Sequence, residues 1–206
     1  MTRKAASIAG ALLVMSAPLV FAQHVVGAHP DKSVPMPVSL DPAKSFQAAF
    51  ARVGDDLYIS GRPTADALRQ LHDKGVTTVV NLRTPEEMSH IGFDEAAEVA
   101  KLGMKYVYLP VRGSTDMPYS PATVDGFSRA LKEANGGVLL HCTVAWRASH
   151  LWSAYLIRER GMSVDSALSQ GRAINLMDDH HMSEGRQPVE DFLGRDLAEL
   201  RHGRKP

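Results

Sequence analysis

Cys142 is the only cysteine of the 206-residue chain, and it stands in the run His141-Cys142-Thr143-Val144-Ala145-Trp146-Arg147. A lone cysteine excludes an internal disulfide framework and a CxxC zinc module, so its neighbours decide its meaning. Residues 138–141 read as a short apolar strand, and a helix is predicted over about 147–160. A thiol at the end of a buried strand, ahead of a tight turn and a helix N-terminus, faces converging peptide N–H groups. Such a nest binds anions and favours thiolate over thiol. Arg147 adds a guanidinium that can grip an oxyanion bidentately, and Ser149 a hydroxyl that could donate to the sulfur. The competing reading is a buried structural cysteine, the common fate of free thiols; Arg147 and the strand–turn–helix setting favour a nucleophile.

Those residues need a scaffold, and the patterning supplies one. Residues 57–59 read as a short strand and 76–82 as a β-branched, buried one. Residues 104–109 alternate like a strand, with Tyr106 and Tyr108 on one side. Between them, Thr64 caps a helix over 65–74 stopped by Gly75, and 93–102 carries helical spacing ended by Gly103. Further helices are expected from Pro121, over 164–174 and over 189–200. Strands alternating with helices imply an α/β fold, a mostly parallel sheet of four to five strands flanked by helices. Ligands of such sheets bind beyond the carboxyl ends of the strands. There the sequence places Arg62, Arg83, Arg112 and Cys142, three cations and the thiol along one rim, a pattern that suits an anion. Arg83 is either a substrate contact or the partner of Glu86 in a structural ion pair, with the latter favoured.

The N-terminus has the form of a secretory leader. Arg3 and Lys4 precede an apolar run to Phe21, and Val20-Phe21-Ala22 fits the small-x-small cleavage rule. Residues 1–22 are therefore expected to be a signal peptide, 23–52 an extended lead-in that ends in a helical turn over 43–51, and 53–206 the catalytic domain. The expected location is outside the cytoplasm, the periplasm in a diderm bacterium, with no stable membrane insertion once the leader is cut. The chain carries 23 basic and 23 acidic side chains, so it has no electrostatic footprint for nucleic acid. Asp178, Asp179, His180 and His181 are ligand-type residues, but their spacing matches no standard zinc motif. They read as a solvated loop, and neither metal nor cofactor is expected.

The stretch "VLLHCTVAWRAS" resembles the cysteine loop of the cysteine-dependent phosphatases, whose pattern is His-Cys, five residues, Arg, then Ser or Thr. The segments "LYISGRPTADALRQLHDKGVTTVVNLRTPEEM" and "KYVYLPV" are similar to the bacterial dual-specificity-phosphatase-like group. They also resemble a neighbouring phosphatase-like or sulfurtransferase-like group found beside β-lactamase-like hydrolases. The resemblance spans about residues 57–175 and implies a phosphatase-like three-layer sandwich. It implies a phosphate-ester substrate, Cys142 as the nucleophile that forms a phosphocysteine, and Arg147 on the equatorial oxygens. His141 would orient the loop and help keep the thiolate, and Thr143, Val144, Ala145 and Trp146 would line the bound anion. Asp116, in "RGSTDMPYS", would be the general acid on an upstream loop.

The chain departs from the pattern in three places. Four residues rather than five separate Cys142 from Arg147, a loop of rhodanese size. Ala145 replaces the usual loop glycine, where a positive φ would strain an alanine. Ala148 follows the arginine where Ser or Thr is usual, with Ser149 one place later. Three readings follow: a phosphatase acting on a phosphotyrosine-like or small phosphate monoester, a sulfurtransferase carrying a Cys142 persulfide, and an inactive anion- or partner-binding domain.

Overall fold

Period-two alternation in the strands divides the apolar residues between two layers. In the computed structural model, which describes residues 34–177 and 186–202, the strands are β1 (Val38–Ser39), β2 (Phe50–Val53), β3 (Leu57–Ser60), β4 (Val76–Asn81), β5 (Lys105–Tyr108) and β6 (Gly137–His141). Their order in the sheet is β1-β2-β3-β6-β4-β5. β3, β6, β4 and β5 run parallel, whereas β1 and β2 are antiparallel additions at one edge. The sheet is thus larger than the four to five strands expected. The added strands come from the segment read as an extended lead-in with a helical turn. Phe50 and Val53 are buried there, and Ala51 pairs with Ile59, so hairpin pairing with β3 outweighs the alanine-rich local composition.

One layer of helices comprises α1 (Ala65–Asp73) and α3 (Glu95–Lys101); here Tyr58, Leu139 and Val79 pack with Leu68, Leu71 and Val99. The other comprises α4 (Pro121–Glu133), α5 (Trp146–Arg160), α6 (Val164–Arg172), α7 (Pro188–Leu193) and α8 (Leu197–Arg201). On that face Ile59, Leu140 and Val80 join Phe127, Leu151, Leu156 and Phe192. Adjacent residues of one strand, Leu139 and Leu140, therefore serve opposite layers, as the pleat requires. The single helix expected over 189–200 is broken at Gly194, which takes φ 63° and separates α7 from α8. A short helix, α2 (Pro85–Met88), follows β4.

The strand ends change character abruptly. Ser60, His141, Asn81 and Tyr108 are register partners across β3, β6, β4 and β5, and the first three are buried. This polar row closes the apolar sheet and marks the edge where the site lies. The expected leader, the first part of the lead-in and Asp178 to His181 lie outside the described residues.

Candidate active site

β6 delivers Cys142, and the backbone on either side holds it. Arg62 N donates to Thr143 O at 2.8 Å and Cys142 N to Ser60 O at 3.3 Å, while Gly61 forms an antiparallel bridge with Val144. Gly61 has to be glycine: a Cβ there would stand 1.6 Å from Gln47 O and 2.9 Å from Thr143 O. The SGRPT segment therefore acts through its backbone, clasping the cysteine loop, and Val144 O is held from the other side by Asn175 Nδ2 at 2.5 Å.

The loop turns through Ala145, which adopts φ 68° and caps α5. An alanine in the left-handed region costs on the order of 1 kcal/mol, the strain that the missing glycine predicts. Ser149 Oγ donates to Ala145 O at 2.8 Å. Its hydroxyl thus braces the strained residue, which corrects the expectation that it serves the sulfur.

Arg147 is buried at the start of α5. Its Nη1 donates to Leu82 O at 3.2 Å and to Val111 O at 2.8 Å, tying it to the ends of β4 and β5. Its Nη2 donates to Glu87 Oε1 at 2.5 Å and to Thr143 Oγ1 at 3.2 Å. Nε makes no hydrogen bond among the described residues. Burial lowers the guanidinium pKa, but Cys142 and Glu87 beside it raise it further, and it lies above its usual value.

Glu87 was not singled out from the sequence, yet it organises the site. Its Oε2 accepts from Thr84 N at 2.8 Å, and its own amide donates to Thr84 Oγ1, completing a capping box for α2. Its Oε1 accepts from Thr143 Oγ1 and Arg147. Burial would raise its pKa, but Arg147, Thr143 and the Thr84 amide hold it down at about 2. The Thr-Pro-Glu-Glu signal for the capping box is readable in the sequence; the second duty of the same carboxylate is not.

Arg83 is almost wholly buried. Its Nε donates to Thr143 Oγ1 at 3.3 Å, Nη1 faces Met88 Sδ at 3.5 Å, and Nη2 donates to Glu87 O. It does not pair with Glu86 and does not line the adjoining cavity; it fastens α2 to the cysteine loop. Glu86 pairs instead with Arg112, at 2.7 Å on the exposed rim. Burial lowers the pKa of Arg83.

A cavity of about 420 Å³ opens here, lined by Glu86, Glu87, His90, Arg112, Tyr119, Trp146 and Arg147. Tyr119 and Trp146 are its aromatic walls. Burial pushes the Tyr119 hydroxyl up to about 12. Cys142 is fully buried and is not among the lining residues. Of the rim arginines expected from the sequence, Arg112 lines the cavity and Arg62 does not. Asp116 lies apart from it, on a turn closed by Arg112 and Gly113 amides donating to Met117 O. Its carboxylate is exposed and accepts from Ser114 Oγ at 2.6 Å, a bond that holds its pKa below the usual value.

His141, buried beneath the loop, places Nε2 3.0 Å from Glu95 Oε1 and Nδ1 3.4 Å from Cys142 O. Glu95, Tyr119 and His90 were not identified in the sequence, where each reads as an ordinary helix or loop residue.

A strand-borne cysteine, an arginine on the following helix and a carboxylate anchoring that arginine are thus brought together. Residues 44–188 match the family described as DSP-PTPase phosphatase fused to NAD+ kinase, and the chain belongs to that family. The chain is 30% identical over 123 residues to the β-lactamase hydrolase-like protein of Xylella fastidiosa, a match covering 59% of this chain and 28% of that protein. The corresponding Agrobacterium fabrum protein is 30% identical over 103 residues, 49% of this chain and 23% of that one. The chain thus matches under a third of the length of these relatives. Among solved structures, P. aeruginosa TpbA in complex with pTyr aligns with TM-score 0.55 and 21% identity, over 83% of this chain and 96% of that one. PTPMT1 in complex with PI(5)P aligns with TM-score 0.56 and 20% identity, over 70% and 92%. These two likenesses establish a shared fold.

Proposed function

We propose that this phosphatase hydrolyses a phosphotyrosine-like or small phosphate monoester through a phosphocysteine on Cys142, and that it works outside the cytoplasm. The observation that carries the reading is Arg147, which lines a cavity walled by Tyr119 and Trp146, donates to Thr143 of the cysteine loop, and lies near enough to Cys142 for that group to raise its pKa. A volume near 420 Å³ suits a phosphoaryl group, within the usual range for small-molecule sites. Export rests on the leader-like residues 1–22 alone.

In the first step the Cys142 thiolate attacks phosphorus. The S–P bond forms, the P–O ester bond breaks, and the electron pair leaves on the ester oxygen, which takes a proton from Asp116. Arg147, through Nε, stabilises an equatorial oxygen as charge develops. Water then attacks phosphorus, gives its proton to Asp116, and returns Cys142 as thiolate while phosphate departs. Asp116 is assigned because its turn is flanked by Arg112 and Tyr119, which both line the cavity; the assignment requires the turn to swing inward, away from the Ser114 bond that favours the carboxylate, so that burial lets the carboxyl carry the proton it donates.

The four-residue spacing from Cys142 to Arg147 favours one rival, sulfur transfer through a persulfide. Wild type and Cys142→Ser, assayed in parallel with an aryl phosphate and with thiosulfate plus cyanide, separate the readings. Phosphate release that disappears in the variant is expected. Sulfur transfer without phosphate release would replace the proposal with the rival, and turnover retained by the variant would remove Cys142 from the mechanism.

A further inference from the structure

The cavity beside the cysteine loop holds more hydrogen-bond donors than one phosphate group uses. Arg147 is its buried end, anchored by Glu87. Arg112 lines the same cavity from the loop after β5, with its side chain 59% exposed. Its Nη1 donates to Glu86 Oε2 at 2.7 Å, and the Glu86 side chain is 68% exposed. The other N–H groups of that guanidinium make no hydrogen bond among the described residues. An ion pair so exposed contributes little, so an anion entering the cavity can take the place of Glu86. His90, also exposed, lines the same mouth and offers a ring N–H in either protonation state. The acceptors are fewer. Glu87 is fully engaged: Oε1 accepts from Thr143 and Arg147, and Oε2 from the Thr84 amide. Asp116, the other carboxylate near Arg112, accepts from Ser114 and is not part of the lining. Glu86 is thus the one lining carboxylate that opposes Arg112 and His90, and the mouth suits an anion better than a cation.

We propose that Arg112 is a specificity-determining residue. With His90 it takes a second anionic group, a carboxylate or a phosphate, on a small phosphate monoester whose ester phosphate sits on Arg147. Glu86 occupies Arg112 until that group arrives. The proposal rests on Arg147 as the seat of the ester phosphate. Because Arg112 and Arg147 line one cavity of about 420 Å³, both anions belong to one small molecule rather than to neighbouring residues of a protein substrate. Meta- and para-carboxyphenylphosphonate carry both anions and are not turned over, and the matching carboxamides keep the shape with one charge removed. Isothermal titration of the full chain should give the better carboxylate about threefold tighter binding than its carboxamide. The advantage should rise to about tenfold in Glu86→Gln, which frees Arg112, because a hydrogen bond to a charged group is then gained without displacing another. It should vanish in Arg112→Gln. Equal affinities for carboxylate and carboxamide in the wild type overturn the proposal, as does an advantage that survives in Arg112→Gln, or binding of neither phosphonate. A phosphonotyrosyl peptide with glutamate neighbours that gains over its glutamine counterpart, where the carboxyphenylphosphonates gain nothing, overturns the small-molecule assignment. Binding is read without turnover: a carboxylate advantage in a chain that releases no phosphate from aryl esters supports the subsite and removes only the phosphatase reading, whereas turnover without the advantage removes only the subsite.

Discussion

Glu87 and Arg147, 60 residues apart in the chain, meet at 2.5 Å, and the same carboxylate oxygen also takes the hydroxyl of Thr143. The helix-capping residue of α2 is thereby built into the cysteine loop. Holding Arg147 from below leaves its Nε for a substrate oxygen, so the guanidinium is oriented before a ligand arrives. Such preorganisation reduces what binding must spend on ordering the site.

Glu87→Gln should therefore lower kcat/KM for an aryl phosphate by about 10- to 100-fold and destabilise the fold at pH 7 by on the order of 2 kcal/mol. The sign of the pH dependence follows from the pKa of about 2 in the folded chain against 4.5 as the unperturbed value. The stabilisation is complete above the unperturbed pKa and is lost as pH falls from there towards 2. Urea midpoints at pH 7 and pH 3 check this: the gap between wild type and variant should be wide at the first and narrow at the second.

Ala145→Gly should raise stability by about 0.5–1 kcal/mol, since glycine occupies φ 68° without the Cβ penalty. Thermal unfolding measures the gain, and kcat should change little because the loop path is unaltered. A loss of stability would mean that the buried methyl contributes more by packing than the backbone loses by strain.

Gly61→Ala has the opposite sign. With a Cβ 1.6 Å from Gln47 O, the clasp on Thr143 must open, and a loss of about 3 kcal/mol or more is expected. Denaturant unfolding, with circular dichroism to check the native state, gives the value; a neutral effect would show that the clasp is not needed to hold the loop.

Asp116→Asn tests the general acid. Release of a poor leaving group such as an alkyl alcohol should slow by about 10²-fold or more, whereas a nitrophenolate, which leaves without a proton, should be affected far less. Equal loss for both leaving groups would assign Asp116 to maintaining the turn with Ser114.

What the sequence revealed here followed local rules. β-Branched runs, caps and stop glycines located the parallel strands and most helices to within a residue or two, because burial and local propensity agree there. The left-handed Ala145 was visible as a missing glycine. β2 was hidden because its strand character comes from pairing with β3 rather than from its own residues. The partners of Arg83 and Arg147 were also hidden: Glu87, Thr143 and the carbonyls of Leu82 and Val111 converge only after β4, β5 and β6 are set side by side. Glu95 gave no signal either, since an acid in the first turn of a helix is ordinary until the fold points it at His141.

The most direct test is rapid acid quench of the wild-type enzyme turning over an aryl phosphate, followed by mass spectrometry of the peptide that holds Cys142. A phosphoryl adduct on that cysteine, appearing within the first turnover and absent in Cys142→Ser, is the predicted result. Turnover under the same conditions with an unmodified Cys142, or a persulfide in place of the phosphoryl group once thiosulfate is supplied and no phosphate is released, would contradict a phosphocysteine mechanism.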